Sequence, residues 1–163
     1  MNKQITIRPL KTEEIPILED MLYEAVYQAD ETNLIPRDVI QLPEISVYID
    51  NYGQDKNDYC LVATADDKIV GAVWTRILAG KVKGYGNIDA YTPEFAISLF
   101  KEYRKQEIGK QLMQQMITYL RKKGFKQTSL SVQKENYAFR LYQKLGFEII
   151  EENKEEFLML LKL

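Results

Sequence analysis

Between Phe95 and Gly124 the chain changes its hydrophobic period once, and abruptly. Phe95 to Phe100 (FAISLF) is almost wholly apolar, the pattern of a strand covered on both faces. From Ile108 the apolar positions are 112, 113, 116, 117 and 120, which is one face of a helix. Lys122, Lys123 and Gly124 supply the basic last turn and glycine stop of such a helix. A short basic turn, Tyr103 to Lys110, joins the two. A buried strand feeding directly into an amphipathic helix demands a layered α/β arrangement. It also leaves a turn beside the unpaired amides and positive dipole end of the helix, a seat for a phosphate group.

The rest of the chain fits such a layer. Ile5, Ile7 and Leu10 mark an opening strand, and Ile15, Leu18, Met21, Leu22, Ala25 and Val26 follow at helical spacing with Pro16 in the first turn. Residues 28–58 carry polar turns, Pro36 and Pro43, and a second helix is expected around Ile45 to Ile49. Cys60 to Ala65 and Lys68 to Trp74 read as a hairpin closed by Asp66 and Asp67. Gly80, Gly84 and Gly86 place three of the eight glycines in one loop. Leu130 and Val132, a helix from Asn136 to Leu145, and strands near Phe147–Ile150 and Glu156–Leu161 complete the order β-α-α-β-β-β-α-β-α-β-β, a mixed α/β fold. With no linker and no repeat, residues 1–163 are expected to form one domain.

Composition excludes whole classes of chemistry. Histidine is absent, so Ser-His and Cys-His nucleophiles and His-based metal sites are out; with the one cysteine, Cys60, structural zinc is out as well. No metal is expected. A lone cysteine allows no internal disulfide and points to a reducing cytoplasm. The N-terminal MNKQITIRPL has no apolar segment of signal-peptide length, and no run reaches the ~18 apolar residues of a membrane span. Net charge of −2 gives no general reason to bind nucleic acid. Membrane and nucleic-acid partners are therefore not expected.

The phosphate seat gains meaning from a second block, Asn136-Tyr-Ala-Phe-Arg-Leu-Tyr142 followed by Leu145-Gly146-Phe147. Together the two blocks resemble the GNAT superfamily of N-acetyltransferases, along the chain from about Ile5 and most strongly from Thr92 to Phe147. The family's acetyl-CoA motif, Gln/Arg-x-x-Gly-x-Gly/Ala, is carried here as Arg104-Lys105-Gln106-Glu107-Ile108-Gly109, with Lys110 next. The resemblance implies a mixed, mostly antiparallel sheet flanked by about four helices. It implies that the amides of residues 105–110 hold the CoA pyrophosphate, with charge from Arg104, Lys105 and Lys110. It further implies that Ile97, Ser98 and Leu99 bond the pantetheine arm along their backbone. Glu107 departs from the pattern, standing where the family has its first glycine and adding a side chain and a negative charge. CoA binding is expected to survive, weakened.

Acyl transfer to an amine needs a neutral amine, a polarised carbonyl and a stabilised thiolate. With a pKa near 10.4, only about one lysine-like amine in a thousand is neutral at pH 7. A carboxylate can remove the proton, directly or through water. By resemblance Glu94 is the candidate base; the alternative is a solvent-exposed carboxylate at a strand edge. Tyr142 shares a helical stripe with Ala138, Leu141 and Leu145, and matches the tyrosine that the family uses to protonate the CoA thiolate. Its alternative is a core tyrosine bonded to a backbone carbonyl. Asn136 is an N-cap candidate and, by resemblance, a pantetheine contact. The Leu99 amide would be an oxyanion donor.

The first half interleaves Tyr23, Tyr27, Tyr48, Tyr52 and Tyr91 with Asp30, Glu31, Glu44, Asp50 and Asp89, a composition suited to a cationic amine. The reading is an acetyl-CoA-dependent N-acetyltransferase acting on a small-molecule or peptide amine by direct transfer. Its rival is a non-catalytic or regulatory acyl-CoA-binding domain. A homodimer is admitted, but not specified, by the sequence.

Overall fold

The computed structural model describes residues 4–163. Its strands are β1 (Ile5–Pro9), β2 (Tyr59–Ala65), β3 (Lys68–Arg76), β4 (Glu94–Leu99), β5 (Gln127–Gln133), β6 (Glu148–Glu152) and β7 (Glu156–Lys162). Its helices are α1 (Ile17–Ala25), α2 (Pro43–Ser46), α3 (Ile108–Lys123) and α4 (Ala138–Lys144). The order along the chain is the one that periodicity predicts. The strands form one sheet, β1-β2-β3-β4-β5-β7-β6, antiparallel at every junction except β4–β5.

Local chemistry explains the boundaries. Asp66 and Asp67 close the β2–β3 hairpin with φ of 51° and 68°, the two positive values that a tight turn matching strand twist requires. Gly124 stops α3 at φ 88°, its amide donating to the Arg121 carbonyl. Two helices begin or end away from their expected positions. Pro43 starts α2 early, because its fixed φ suits a first helical position; only turns continue from Val47 to Asp50. α4 starts at Ala138, since Asn136 Oδ1 accepts from the Ala138 amide at 2.9 Å and turns the chain into the helix.

Each sheet face buries its own core. On one, α3 lays Leu112, Met113, Met116 and Leu120 over Val73, Phe95 and Leu130. On the other, Leu18, Met21 and Leu22 of α1 cover Val62, Ala72 and Trp74. A buried cation pins the irregular segment after α2 to this second face. Arg76 bonds both carboxylate oxygens of Asp58, at 2.9 and 3.1 Å, and donates to the carbonyls of Val47 and Asp50. The Trp74 indole N–H holds the Tyr48 carbonyl at 3.0 Å.

The parallel junction positions the site. β4 and β5 are paired at one register point, Glu94 with Ser129. Past it the strands part, and a cavity of about 250 Å³ lies between them, lined by Ala96 and Ile97 of one and Leu130 to Gln133 of the other.

Candidate active site

Glu94, the first residue of β4, is only 2% exposed, so it is not the solvent-facing edge carboxylate that the sequence also allowed. It sits on the cavity wall where β4 and β5 part. Its Oε2 accepts from the Tyr48 hydroxyl and from the Gly86 amide, the latter at 2.9 Å. The Tyr48 oxygen in turn accepts from the Tyr85 amide at 2.8 Å. Glu94 Oε1, equally buried, has no hydrogen-bond partner among the described residues. Burial pushes the Glu94 carboxyl up to about 7; the Tyr48 and Gly86 bonds oppose the rise, and the charge of Glu156 adds to it. A carboxyl poised there can accept a proton near neutral pH.

The glycine-rich loop is shaped around this group. A Cβ on Gly84 would stand 2.1 Å from Glu94 Oε1. One on Gly86 would stand 2.9 Å from Oε2 and 3.0 Å from the Leu130 backbone. Both glycines are therefore required by close approach. Ser129 completes the enclosure, its hydroxyl donating to the Gly86 carbonyl at 2.6 Å.

Tyr142 faces the same cavity from α4. It is 8% exposed and packs edge-on against Phe147, with ring centres 6.2 Å apart. Burial pushes its pKa upward, so the hydroxyl stays protonated and able to donate. Asn136 also lines the cavity, while its Oδ1 turns the chain into α4.

Beyond Glu94 one edge of β4 faces the cleft. The Phe100 amide bonds the Val70 carbonyl, and alternation along an antiparallel pair then turns the backbone groups of Ile97 and Leu99 toward the parting strands. Ser98 faces the other way; its hydroxyl donates to the Met21 carbonyl at 2.6 Å, within the α1 core. α3, a 16-residue helix, starts at Ile108, nine residues after the end of β4. Among the described residues the amides of positions 105 to 110 meet no acceptor, as a pyrophosphate seat requires. Lys105 and Glu107 reach this turn with φ of 61° and 68°, the left-handed region, Glu107 as the residue preceding α3. Ile108 is buried beneath the turn, and Gln106 donates to the Glu102 carbonyl at 2.9 Å. Arg104 is engaged internally. It bonds the Leu99 carbonyl at 3.0 Å and pairs with Glu24 at 2.9 Å, tying the end of β4 to α1. Its charge is thus largely answered within the chain, while Lys105 lies over the Tyr137 ring at 5.7 Å.

Of the tyrosines read as acceptor-facing, Tyr27 and Tyr48 line the cavity. Tyr52 is half-buried against Arg76, with the guanidinium carbon 5.2 Å from the ring centre, and Tyr91 is solvent-exposed. Cavity residues that escaped the sequence reading include Tyr85, Ser131, Gln133 and Glu156. The nearest signal for Tyr85 was its place between Gly84 and Gly86; none marked Glu156. Among the described residues, no group of three or more Cys, Asp or Glu is placed to hold a metal ion.

Comparison with known proteins agrees with this geometry. The model of the acetyltransferase (GNAT) family matches residues 23–147. A GNAT-family acetyltransferase from Streptococcus pneumoniae is 23% identical, with TM-score 0.68, over 98% of this chain and 100% of that one. The PaiA N-acetyltransferase of Thermoplasma acidophilum, solved in complex with coenzyme A, is 24% identical with TM-score 0.67, over 98% and 99% of the two chains. The ribosomal-protein-S18-alanine N-acetyltransferase of Escherichia coli is 18% identical with TM-score 0.65, over 98% and 94%. A search of curated proteins finds no match. A strand pair parted beside a helix N-terminus, with the family model spanning both, settles the classification: the chain belongs to the GNAT family of acetyltransferases.

Proposed function

We propose that residues 1–163 form one N-acetyltransferase domain that moves the acetyl group of acetyl-CoA to a primary amine, by direct transfer in a ternary complex. The observation that carries this is the placement of Glu94 and Tyr142 on one cavity, at the point where β4 and β5 part. Acetyl-CoA supplies an activated acyl carbon and a thiolate leaving group. The residues fit it: the α3 amides suit its pyrophosphate, the free edge of β4 at Ile97 and Leu99 suits its amide-bearing arm, and Asn136 is at hand beside that arm.

Glu94 takes a proton from the incoming ammonium, directly or through water, and leaves a neutral amine. The amine nitrogen bonds the acyl carbon, the carbon–sulfur bond breaks, and its electron pair departs on sulfur. Tyr142 donates the proton that makes the free thiol and regains one from the nitrogen of the new amide. The Leu99 amide, on the open edge, is the donor to the acyl oxygen. Direct transfer is favoured over an acyl-cysteine route because Cys60 is buried in the α1 core, away from the cavity, with its thiol pKa pushed upward by burial.

The acceptor is read as a small-molecule or peptide amine, since no Lys or Arg is among the cavity's lining residues and Glu94 and Glu156 are. The same buried thiol fits a cytoplasmic setting, and no described helix is long and apolar enough to cross a membrane. Thiol release from acetyl-CoA across a panel of amines tests the reading. Amine-dependent release that is lost in Glu94→Gln and slowed in Tyr142→Phe is expected; CoA binding without any turnover would favour a binding domain instead.

A further inference from the structure

We infer that the acceptor carries two cationic nitrogens, one presented to Glu94 and the other held by Glu156, so that the preferred substrate is a short aliphatic diamine or an amine with an equivalent second positive charge. The inference rests on the acetyltransferase reading above and names the substrate class of that site.

Glu156 opens β7 and lines the cavity. Both its oxygens are aimed by β5: Oε2 accepts from the Ser131 hydroxyl at 2.6 Å and Oε1 from the Gln133 amide at 3.2 Å. Neutral donors hold the carboxylate in place without cancelling its charge, and among the described residues no lysine or arginine pairs with it. A fixed, uncompensated carboxylate on a cavity wall attracts a cation from solution.

Glu94 is the second anchor, and it is independent of the first. Its side chain lines the same cavity, with Oε1 shut against Gly84, and no lysine or arginine pairs with the carboxylate among the described residues. A carboxylate without a cationic partner attracts an ammonium, directly or through a water. Sheet geometry sets the span. Glu94 is level with Ser129, whereas the Glu156 carboxylate is tied to Ser131 and Gln133, two and four residues on. At about 3.3 Å per residue that is roughly 7 to 13 Å along β5, the reach of an aliphatic chain with a nitrogen at each end. The influence of Glu156 on the Glu94 carboxyl agrees with this proximity.

The walls between the anchors match the ligand's stem. Leu22, Val26 and Ile45 offer apolar surface, and Tyr27 and Tyr85 offer ring faces to a cation. A substrate with a carboxylate near its amine would set like charges together, so amino acids with a free α-carboxylate are rejected.

The test is a calorimetric titration of diaminobutane, with butylamine as the singly charged control, into the CoA-saturated full chain. Diaminobutane is expected to bind about tenfold or more tighter than butylamine, the difference that a charged hydrogen bond yields. Glu156→Gln should reduce that preference to about twofold, with CoA affinity unchanged. Ser131→Ala, which keeps the charge and removes its anchor, should reduce it in part and guards against a folding defect in the first variant. Equal affinity for the two amines, or a preference that survives Glu156→Gln, overturns the inference. Acetylation separates it from the parent reading. If both amines are acetylated with equal kcat/KM, the second-charge site falls and the transferase stands. If neither is acetylated yet diaminobutane binding depends on Glu156, the site stands and the transferase falls.

Discussion

The Tyr48 hydroxyl donates to Glu94 Oε2 while its own oxygen accepts from the Tyr85 amide, so a residue 46 positions upstream in sequence holds the candidate base in place. Arg76 and Trp74 fix that tyrosine through its neighbours' carbonyls and its own. The candidate base is therefore set by a segment with little regular structure of its own, stapled to the sheet by one buried ion pair.

Activity should follow the ionisation of Glu94. With its carboxyl pushed up to about 7 by burial, kcat/KM is expected to rise through pH 7 and to fall below it as the base is protonated. Tyr48→Phe removes a bond that lowers this pKa, so the inflection should move upward. A pH–rate profile on a single amine reads both. An inflection that stays in place in Tyr48→Phe would remove the tyrosine from the base's environment.

The same burial makes Glu94 costly to the fold. Its folded pKa lies above its ordinary value of 4.5, so the folded state binds more protons than the unfolded state between about pH 4.5 and 7. Stability from this group is thus present in acid and lost as pH rises through that window. Glu94→Gln should stabilise the fold at pH 8, read as a raised Tm, and leave Tm unchanged below pH 4.5. Its activity should drop by about 10²- to 10⁴-fold. Paired thermal melts at the two pH values decide the first point and steady-state kinetics the second.

Gly84 lies under the base rather than in the cofactor seat. Gly84→Ala would place a methyl group 2.1 Å from Glu94 Oε1 and displace the carboxyl or the loop. The expected result is a loss of kcat of about tenfold or more with CoA affinity retained, since sub-ångström misplacement of a catalytic group is expensive. Calorimetry with CoA alongside kinetics would expose a broader collapse.

How much of this was legible beforehand depended on sequence distance. The α3 stripe at 112, 113, 116, 117 and 120 is buried as its period requires, and the Asp66-Asp67 turn closes a hairpin between adjacent strands. Those are local patterns, each written within a few residues. The surroundings of Glu94 are not all local: Gly86 is eight residues away, but Tyr48 comes from an irregular segment 46 residues earlier, and Glu156, on the same cavity, arrives on β7, which inserts between β5 and β6. Periodicity is silent about which strands neighbour each other. Arg104 shows the same limit from the other side. It stands in the motif as a cofactor cation, yet it reaches back 80 residues to Glu24.

Glu107, the departure from the family motif, occupies a left-handed position at φ 68°. A non-glycine residue there is strained by about 1 kcal/mol, and its carboxylate stands at the helix end proposed to receive a pyrophosphate. Glu107→Gly should tighten CoA binding by about three- to tenfold through lost repulsion, while stability changes by less than about 1 kcal/mol because relief of strain is offset by a more flexible unfolded chain. Titration of CoA into both proteins reads the difference.

The central claim is amine acetylation by a Glu94–Tyr142 pair on one cavity. The most direct measurement is mass-spectrometric detection of acetylated amine, together with free thiol, after incubating the protein with acetyl-CoA and diaminobutane. The account predicts equal yields of the two products, abolished in Glu94→Gln and strongly slowed in Tyr142→Phe. Thiol release without acetylated amine, or full activity in both variants, would contradict it.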